Sequence, residues 1–286
     1  MRLTILHTND LHGRLETLPR LATLIQRERA LARAEGRPVL FLDAGDSSSK
    51  KSPESLATHG RANFALLGAM GCQAATLGNR DVKWGAAALQ KLVTSASFPV
   101  LAANLRQLAP LGNDPDDLAV PGLQTHTVLR LGGPAPRVGV IGLTAWVGYD
   151  HALLGYRAVN GVGVLRNLIE RLHGEGVRII VMLSHLGSSA DMRLAGTVNG
   201  LTAIVGGHSH ARLDPPTVAN GVAVAQAGEY GQCLGRLDLV VDETNGRLHE
   251  FSGRLIPCGP DVPPDGTISA TLELVREEAE RLARPA

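Results

Sequence analysis

Apolar runs rich in Val, Ile and Leu recur along the chain, and stretches with helical spacing lie between them. The runs predict seven strands, at Leu3–His7, Val39–Asp43, Ala74–Leu77, Val100–Ala103, Val138–Leu143, Ile179–Leu183 and Ala203–Val205. The helical spacing predicts helices at Leu15–Ala34, Pro53–Ala69, Gly85–Ser95 and Val162–His173. Strands that alternate with crossover helices are typical of a layered α/β fold.

The last part of the chain changes character. Val222–Gln226, Leu234–Asp242 and Leu248–Ile256 have the pattern of successive strands, and Thr244-Asn245-Gly246 predicts a turn between the last two. We expect antiparallel additions to a mixed sheet. A charged helix is predicted at about Ile268–Arg284, and packing on its own domain is favoured over a role at a partner subunit. Without an internal repeat or low-complexity linker, residues 1–286 are interpreted as one domain.

Composition excludes several classes of protein. The 44% hydrophobic content suffices for a large core, and 28 Lys plus Arg against 27 Asp plus Glu give no basic field for nucleic acid or an anionic membrane. The sequence contains no run of about 18 apolar residues, so a transmembrane helix is not expected. Met1–Thr8 is too short and polar for a signal sequence, and three scattered cysteines fit a reducing compartment, so a cytoplasmic location is expected.

Asp, Asn and His side chains follow five of the predicted strands. The segments are Asp10-Leu11-His12-Gly13, Gly45-Asp46, Gly78-Asn79, Ser184-His185 and Gly206-Gly207-His208-Ser209-His210. Each segment alone is uninformative, but open α/β sheets bind their ligands at this edge. Carboxylate, amide oxygen and imidazole together suit divalent Mn, Fe, Co, Ni or Zn. No cysteine is among these residues, so a structural zinc site with thiolate ligands is not indicated. The set therefore predicts a metal site.

The spellings HTNDLHG, GD, LGN, LSHLG and GGHSH, in this order, resemble the calcineurin-like metallophosphoesterases, specifically the 5'-nucleotidase and cyclic-nucleotide phosphodiesterase branch. The resemblance covers roughly Leu3 to Ile256. It implies an α/β/β/α sandwich with mixed sheets and two divalent ions, Mn foremost, with Zn, Fe, Co or Ni as alternatives. It also implies a hydrolase of phosphomonoesters or phosphodiesters such as nucleotides. The carboxy-terminal substrate domain of 5'-nucleotidases is not expected in this chain.

The resemblance also implies roles for individual residues. Its metal ligands would be Asp10, His12 and His210 on one ion, Asn79, His185 and His208 on the other, and Asp46 bridging both. His7 and Asp43 are expected behind the ligands, in supporting positions. Two cations sharing a water lower its pKa, which makes hydroxide available near neutral pH.

One motif departs from the family. The usual Gly-Asn-His-Glu, often extended by Phe-Asp, supplies a His and an Asp that form a dyad over the leaving group. Here Arg80 stands at the position of the His and Lys83 at that of the Asp. A guanidinium with a pKa above about 12 does not readily give a proton near pH 7, but it binds phosphoryl oxygens well.

Three consequences of this departure stay open. The protein could hydrolyse esters with Arg80 as electrostatic stabiliser, about 10²- to 10⁴-fold slower where the leaving group needs a proton. Another group, such as Tyr149, His126 or His151, could reach in as the acid. Lys83 could itself act as an acid if buried beside Arg80, but a position facing solvent is favoured for it. The domain could instead be a noncatalytic metal- or phosphate-binding module. Hydrolysis is favoured because all seven ligand positions are filled.

The substrate is expected to be a small phosphate ester. With 3% aromatic residues the chain offers few faces for stacking a base, so a partner chain or homodimer interface could be needed to complete a nucleotide pocket. A nuclease is disfavoured, because neither a basic groove nor interleaved aromatic residues are visible.

Overall fold

The computed structural model describes residues 1–108, 119–131, 137–145 and 154–284. Its strands in chain order are β1 (Arg2–Thr8), β2 (Val39–Asp43), β3 (Ala74–Thr76), β4 (Val100–Leu101), β5 (Leu105–Gln107), β6 (His126–Arg130), β7 (Arg137–Leu143), β8 (Tyr156–Ala158), β9 (Ile179–Ser184), β10 (Ala203–Gly206), β11 (Thr217–Ala219), β12 (Val222–Ala225), β13 (Cys233–Val241) and β14 (Leu248–Pro257). Its α-helices are α1 (Leu18–Ala34), α2 (Pro53–Thr58), α3 (Arg61–Ala69), α4 (Ala86–Ser95), α5 (Gly161–Gly174), α6 (Ser188–Thr197) and α7 (Gly266–Ala283).

Two six-stranded sheets form the centre, with strand orders β14-β13-β1-β2-β3-β4 and β11-β12-β10-β9-β7-β6. In the first sheet β1 to β4 run parallel, and β13 and β14 extend it in antiparallel fashion. In the second, β7, β9, β10 and β12 run parallel between the antiparallel edges β6 and β11. Both sheets are mixed, as predicted.

The layers follow from strands that are apolar on both faces, as expected for buried parallel strands. In β9, Ile179 and Val181 belong to the core between the sheets, whereas Ile180 and Met182 pack under α5 and α6. On the other side α1, α3, α4 and α7 cover the first sheet. The architecture is an α/β/β/α sandwich, which confirms the predicted fold class.

Three local expectations were wrong. The helix predicted at Pro53–Ala69 is two helices, because His59 and Gly60 both take positive φ angles, 51° and 82°, and break the chain direction. The first helix begins at Leu18 after a separate 3₁₀ turn. Strand β12 pairs parallel with β10 and is not an antiparallel addition, since β11 takes the edge of that sheet.

The terminal helix α7 packs on its own chain. Its Ile268 and Leu272 are buried in the core that α1, α3 and the first sheet share. The Asp265 carboxylate caps the helix by accepting a hydrogen bond of 2.8 Å from the backbone N–H of Ile268. Among the helices of the described residues, none has the length and apolarity needed to cross a membrane.

Candidate metal centre

All seven predicted ligands lie in loops that follow strands at one edge of the two sheets. Asp10 and His12 follow β1, Asp46 follows β2 and Asn79 follows β3, while His185 follows β9 and both His208 and His210 follow β10. The two sheets meet across this edge, where His12 Nε2 lies 3.1 Å from His210 Nε2. Nearby, His208 Nδ1 lies 2.9 Å from Asn79 Oδ1. The parallel strands of each sheet bring their carboxyl ends together here.

Two overlapping groups could each hold a cation. Asp10, His12 and His210 form one, and Asp10, Asp46 and His185 form the other, with one ligand atom of each residue within 4.8 Å of the others. The first group is the trio that the resemblance implied. In the second group, Asp10 accompanies Asp46 and His185. The His185 ring lies 5.2 Å from the His208 ring, and His208 in turn contacts Asn79, so these two predicted ligands lie next to the second group.

Several polar atoms in the centre are buried and lie close to other candidate ligands. Across the described part of the chain, Asp10 Oδ1, His12 Nδ1 and His185 Nε2 are buried and have no hydrogen-bond partner. Asp10 Oδ1 lies 3.3 Å from His210 Nε2 and 3.9 Å from His185 Nε2. Buried polar atoms without partners are rare in folded proteins. Their carboxylate and imidazole chemistry fits divalent cations.

Hydrogen bonds leave one atom of each key ligand facing the centre. His185 Nδ1 donates to the Ala44 carbonyl at 2.7 Å, so Nε2 faces Asp46 Oδ2 at 3.4 Å. His210 Nδ1 lies 2.7 Å from Glu229 Oε2, which leaves its Nε2 toward Asp10. A partner on one ring nitrogen fixes the tautomer and directs the other nitrogen to a metal.

Burial and charge set the protonation of the centre. Burial opposes the charged form of His185, but the carboxylates of Asp46 and Asp10 outweigh it and raise the pKa of His185 to about 9. Burial lowers the pKa of His12 to about 4, although Asp46 acts in the opposite direction. Metal binding would therefore have to displace a proton from His185, whereas His12 is ready to ligate.

The backbone at the ligands is locally strained. Positive φ angles occur at Asp10 (51°), His12 (49°), Asp46 (54°), His208 (73°) and His210 (56°). Such angles are uncommon outside glycine, and residues that hold them cluster at functional sites. Backbone hydrogen bonds between the loops after β1 and β2 fix two of them: Asp10 N–H donates to the Gly45 carbonyl at 2.8 Å, and His12 N–H to the Asp46 carbonyl at 2.9 Å.

Asp81, which sequence reasoning missed as a functional residue, holds the Asp46 loop. Its Oδ2 accepts hydrogen bonds from the backbone N–H groups of Asp46 at 2.8 Å and Gly78 at 2.9 Å. Its Oδ1 accepts from Ser48 N–H and Oγ. Burial, followed by the charge of Asp46, raises the pKa of Asp81 to about 6. The signal was its place at the acidic position of the Gly-Asn-His-Glu motif.

Asn9 and Glu229 were also missed. Asn9 Nδ2 donates to Asp10 Oδ2 at 2.8 Å and to the Gly228 carbonyl at 2.6 Å. Asn9 Oδ1 accepts from Ala227 N–H at 2.9 Å. Asn9 stands inside the HTNDLHG spelling, which was the available signal, whereas no motif marks Glu229.

The two predicted supporting residues differ in their contacts. Asp43 accepts hydrogen bonds from Gly45 N–H at 3.0 Å and from the Thr8 and Ser47 hydroxyls at 2.7 Å, so it fixes the turn that carries Asp46. Burial raises the pKa of Asp43 to about 7. His7 is wholly buried, and burial lowers its pKa to about 4. Its ring packs against β13, and its supporting role at the metal stays a prediction.

Arg80 faces the centre from the altered motif. Its backbone N–H donates to Asp46 Oδ1 at 2.7 Å, and its Nε lies 3.6 Å from Asp46 Oδ2. With 44% of its side chain exposed, Arg80 also lines a cavity of about 410 Å³ together with His12. Lys83 is half-buried in the 3₁₀ turn Asp81–Trp84 and is not among the described residues that line this cavity.

Of the other candidate acids, only His126 lies in the described residues. It begins β6, and its Nδ1 is 2.9 Å from the Thr125 hydroxyl. Burial, followed by the charge of Arg171 at the end of α5, lowers the pKa of His126, so its electrostatic neighbours are not those of the metal centre. Tyr149 and His151 lie outside the described residues.

Phosphoesterases and nucleotidases are among the curated proteins with similar sequences. The chain is 31% identical over 242 residues to the uncharacterized metallophosphoesterase YunD of Bacillus subtilis (strain 168), covering 84% of this chain and 50% of YunD. It is 30% identical over 310 residues to the snake venom 5'-nucleotidase of Crotalus adamanteus, covering 96% of this chain and 51% of the nucleotidase. The chain thus spans about half the length of these curated relatives.

Solved structures show the same fold. The chain is similar to a 5'-nucleotidase precursor from Thermus thermophilus, with a TM-score of 0.82 and 28% identity, over 98% of this chain and 59% of that one. It also matches the calcineurin-like phosphoesterase YfkN from Bacillus subtilis in fold, with a TM-score of 0.76 and 19% identity over 99% of both chains. The family model of calcineurin-like phosphoesterases matches residues 3–212. The motif resemblance is confirmed, and this chain belongs to the calcineurin-like phosphoesterase family.

Proposed function

We propose that this chain is a dimetal-dependent phosphoester hydrolase of phosphomonoesters or phosphodiesters, nucleotides among them. The observation that carries the proposal is the group of buried atoms without a hydrogen-bond partner that, within the described residues, lie close to the candidate carboxylates or belong to them. Asp10 Oδ1 lies 3.9 Å from His185 Nε2, and His12 Nδ1 lies 3.9 Å from Asp46 Oδ2. Two divalent cations, Mn foremost, would activate the attacking water and neutralise the phosphoryl oxygens when bound.

Each carboxylate divides its two oxygens between the protein and the centre. Asp10 Oδ2 accepts hydrogen bonds from Asn9 Nδ2 at 2.8 Å and from His208 N–H at 2.9 Å, which leaves Oδ1 for a cation. Asp46 Oδ1 accepts from Arg80 N–H, which leaves Oδ2 toward His185. This division holds both ligands in position while one oxygen of each stays available.

Arg80 supplies charge in this proposal, and not a proton. Its Nε lies 3.6 Å from Asp46 Oδ2, close enough for an ion pair, and 44% of its side chain is exposed. Arg80 also lines the cavity beside the centre. If Asp46 held a cation, the planar guanidinium of Arg80 would be free to offer its N–H groups to phosphoryl oxygens. Because it gives no proton to the leaving group, esters of acidic alcohols should react fastest.

Turnover tests the proposal directly. Metal-loaded protein should hydrolyse p-nitrophenyl phosphate and bis-p-nitrophenyl phosphate well above the Asp46→Asn variant, and alkyl phosphates about 10²- to 10⁴-fold more slowly. Mn, Co, Ni and Zn should each be tried, with 5'-nucleotides as further substrates. If the wild-type rates equal those of Asp46→Asn with every metal, the proposal that this chain is a hydrolase is wrong.

Variants of the altered motif test the role of Arg80. Arg80→Ala should lower kcat for all esters, whereas Arg33→Ala, an exposed arginine on α1, should not. The double change Arg80→His with Lys83→Asp should raise the rate on alkyl phosphates selectively, since it restores a titratable group. If the double variant kept the same preference for acidic leaving groups, a missing proton donor would not be the cause of that preference.

The second candidate is a noncatalytic metal- and phosphate-binding module. The observation that favours it is the replacement of the proton-donating dyad by Arg80 and Lys83. Such a module would bind inorganic phosphate in a metal-dependent way without turnover. Phosphate binding by calorimetry, combined with rates no higher than those of Asp46→Asn, would establish it.

A further inference from the structure

The cavity beside the metal centre continues past the candidate ligands. Its volume is about 410 Å³, and its lining contains His12 and Arg80 as well as two more cations, Arg14 and Lys51. This volume is within the range of small-molecule sites. An ester whose phosphoryl group lies at His12 and Arg80 would place its remaining part near Arg14 and Lys51.

Arg14 lies over an aromatic ring that packs beside the metal centre. Its guanidinium carbon lies 5.3 Å from the ring centroid of Tyr230. Tyr230 has a positive φ of 58°, donates its N–H to the Asp10 carbonyl at 2.8 Å and packs its ring 5.5 Å from that of His12. Among the described lining residues it is the only Tyr, Trp or Phe, and Arg14 covers it. The cavity therefore presents the Arg14 guanidinium over this ring face, which leaves that face unavailable for stacking a base.

The acidic side chains in the lining do not cancel these cations. Glu54 Oε1 lies 3.4 Å from Arg276 Nε, and its Oε2 accepts from the Ser52 hydroxyl at 3.0 Å, so Glu54 is already engaged. Glu16 lies 3.6 Å from Arg14, but the two side chains are 56% and 58% exposed, and such pairs are weak. Lys51 has no ion-pair partner in the ranges that the structure describes.

We infer that this cavity is a subsite for a second anionic group, so that the substrates are small esters that carry a phosphate or carboxylate besides the phosphate that is cleaved. The inference rests on the proposed function and names its substrate class. Arg14 would bind the anion with two parallel N–H groups, and Lys51 would add a mobile positive charge. A neutral nucleoside would engage neither cation.

Paired phosphonates that cannot be hydrolysed test this subsite. Binding of alkylphosphonates, ω-carboxyalkylphosphonates and α,ω-alkylenebisphosphonates of two to four methylenes should be measured by calorimetry on metal-loaded protein. The second anion should tighten binding about tenfold at the best chain length. The carboxylate and phosphonate arms show which group fits. A protein that shows this difference but hydrolyses no ester would refute the hydrolase and not the subsite.

Variants decide whether the cavity is responsible. Lys51→Ala and Arg14→Gln should each remove most of the tenfold gain. Lys50→Ala is the matched control, because the Lys50 ammonium lies over the Trp84 ring, 5.7 Å from its centroid, and not in the cavity lining. Equal affinities for the paired ligands in the wild type would overturn the inference. So would a gain that survives both cavity variants, or one that Lys50→Ala removes equally. Lys51→Ala, at an exposed side chain, decides if Arg14→Gln fails to fold.

Discussion

Glu229 offers a sharp test of the metal centre, because its carboxylate holds a candidate ligand without being one. Its Oε2 lies 2.7 Å from Nδ1 of His210, and the opposite ring nitrogen points toward Asp10. Glu229→Gln keeps an acceptor for the Nδ1 proton but removes the charge. Glu229→Ala removes both, so the His210 ring loses its orientation and its fixed tautomer.

The structure separates the expected effect on metal binding from that on folding. Both side chains of this pair are about one third exposed, 34% for His210 and 30% for Glu229, so the pair itself contributes at most about 1 kcal/mol to stability. Loss of a partner behind a metal-binding histidine weakens metal affinity by about 10- to 100-fold, or about 1.4 to 2.7 kcal/mol. Glu229→Gln should fall near the lower value and Glu229→Ala near the higher.

Metal titration at fixed pH, by calorimetry or with a competing chelator, measures these affinities, and urea unfolding of the metal-free variants measures stability. Glu16→Ala is the control, because Glu16 is an exposed acid near the centre that contacts Arg14 and no candidate ligand. Wild-type metal affinity in Glu229→Ala would refute the reasoning. An equal loss in Glu16→Ala would also refute it, since net charge would then be the cause.

Three further changes have calculable outcomes. Burial raises the pKa of Asp191 to about 7. In metal-free protein the contribution of Asp191 to the free energy of unfolding is therefore full below about pH 4 and is lost as the pH rises through 7. Because Asp191→Asn cannot ionise, urea unfolding should show that its stability relative to wild type rises by up to about 4 kcal/mol between pH 4 and pH 8. In Gly235→Ala the new Cβ would lie 2.1 Å from His7 Nε2, and unfolding should show a loss of about 1–3 kcal/mol. In Gly78→Ala the Cβ would lie 2.1 Å from Asp46 Oδ1, and calorimetry should show weakened metal binding.

The sequence was most informative where one physical cause dominates. A strand such as β9, apolar on both faces, must be covered on both sides, so its pattern predicts a buried parallel strand. Metal-binding side chains just beyond such strands gather because parallel strands end at one edge. These two regularities predicted a layered α/β fold and the meeting of the candidate ligands at one edge, whereas the α/β/β/α sandwich itself was implied by the motif resemblance.

The remaining features depend on contacts that no local pattern encodes. Helix α6 was missed because its only buried charged residue, Asp191, faces Ser184 and obscures an apolar face. The break between α2 and α3 comes from two residues with left-handed backbone inside a continuous helical period. Glu229 reaches His210 only because the chain after β12 folds back over the centre.

The contact between His12 and His210 joins residues 198 positions apart in the sequence. An ion held by both would close a loop of that length, and by the relation used for cross-links it would remove about 5 kcal/mol of chain entropy from an unfolded state that kept the ion. All three cysteines are free, so no disulfide performs this task. The ions of this centre would therefore cross-link the first sheet to the second at their shared edge. Their removal would lower the stability of the packing between the two sheets as well as the catalytic activity.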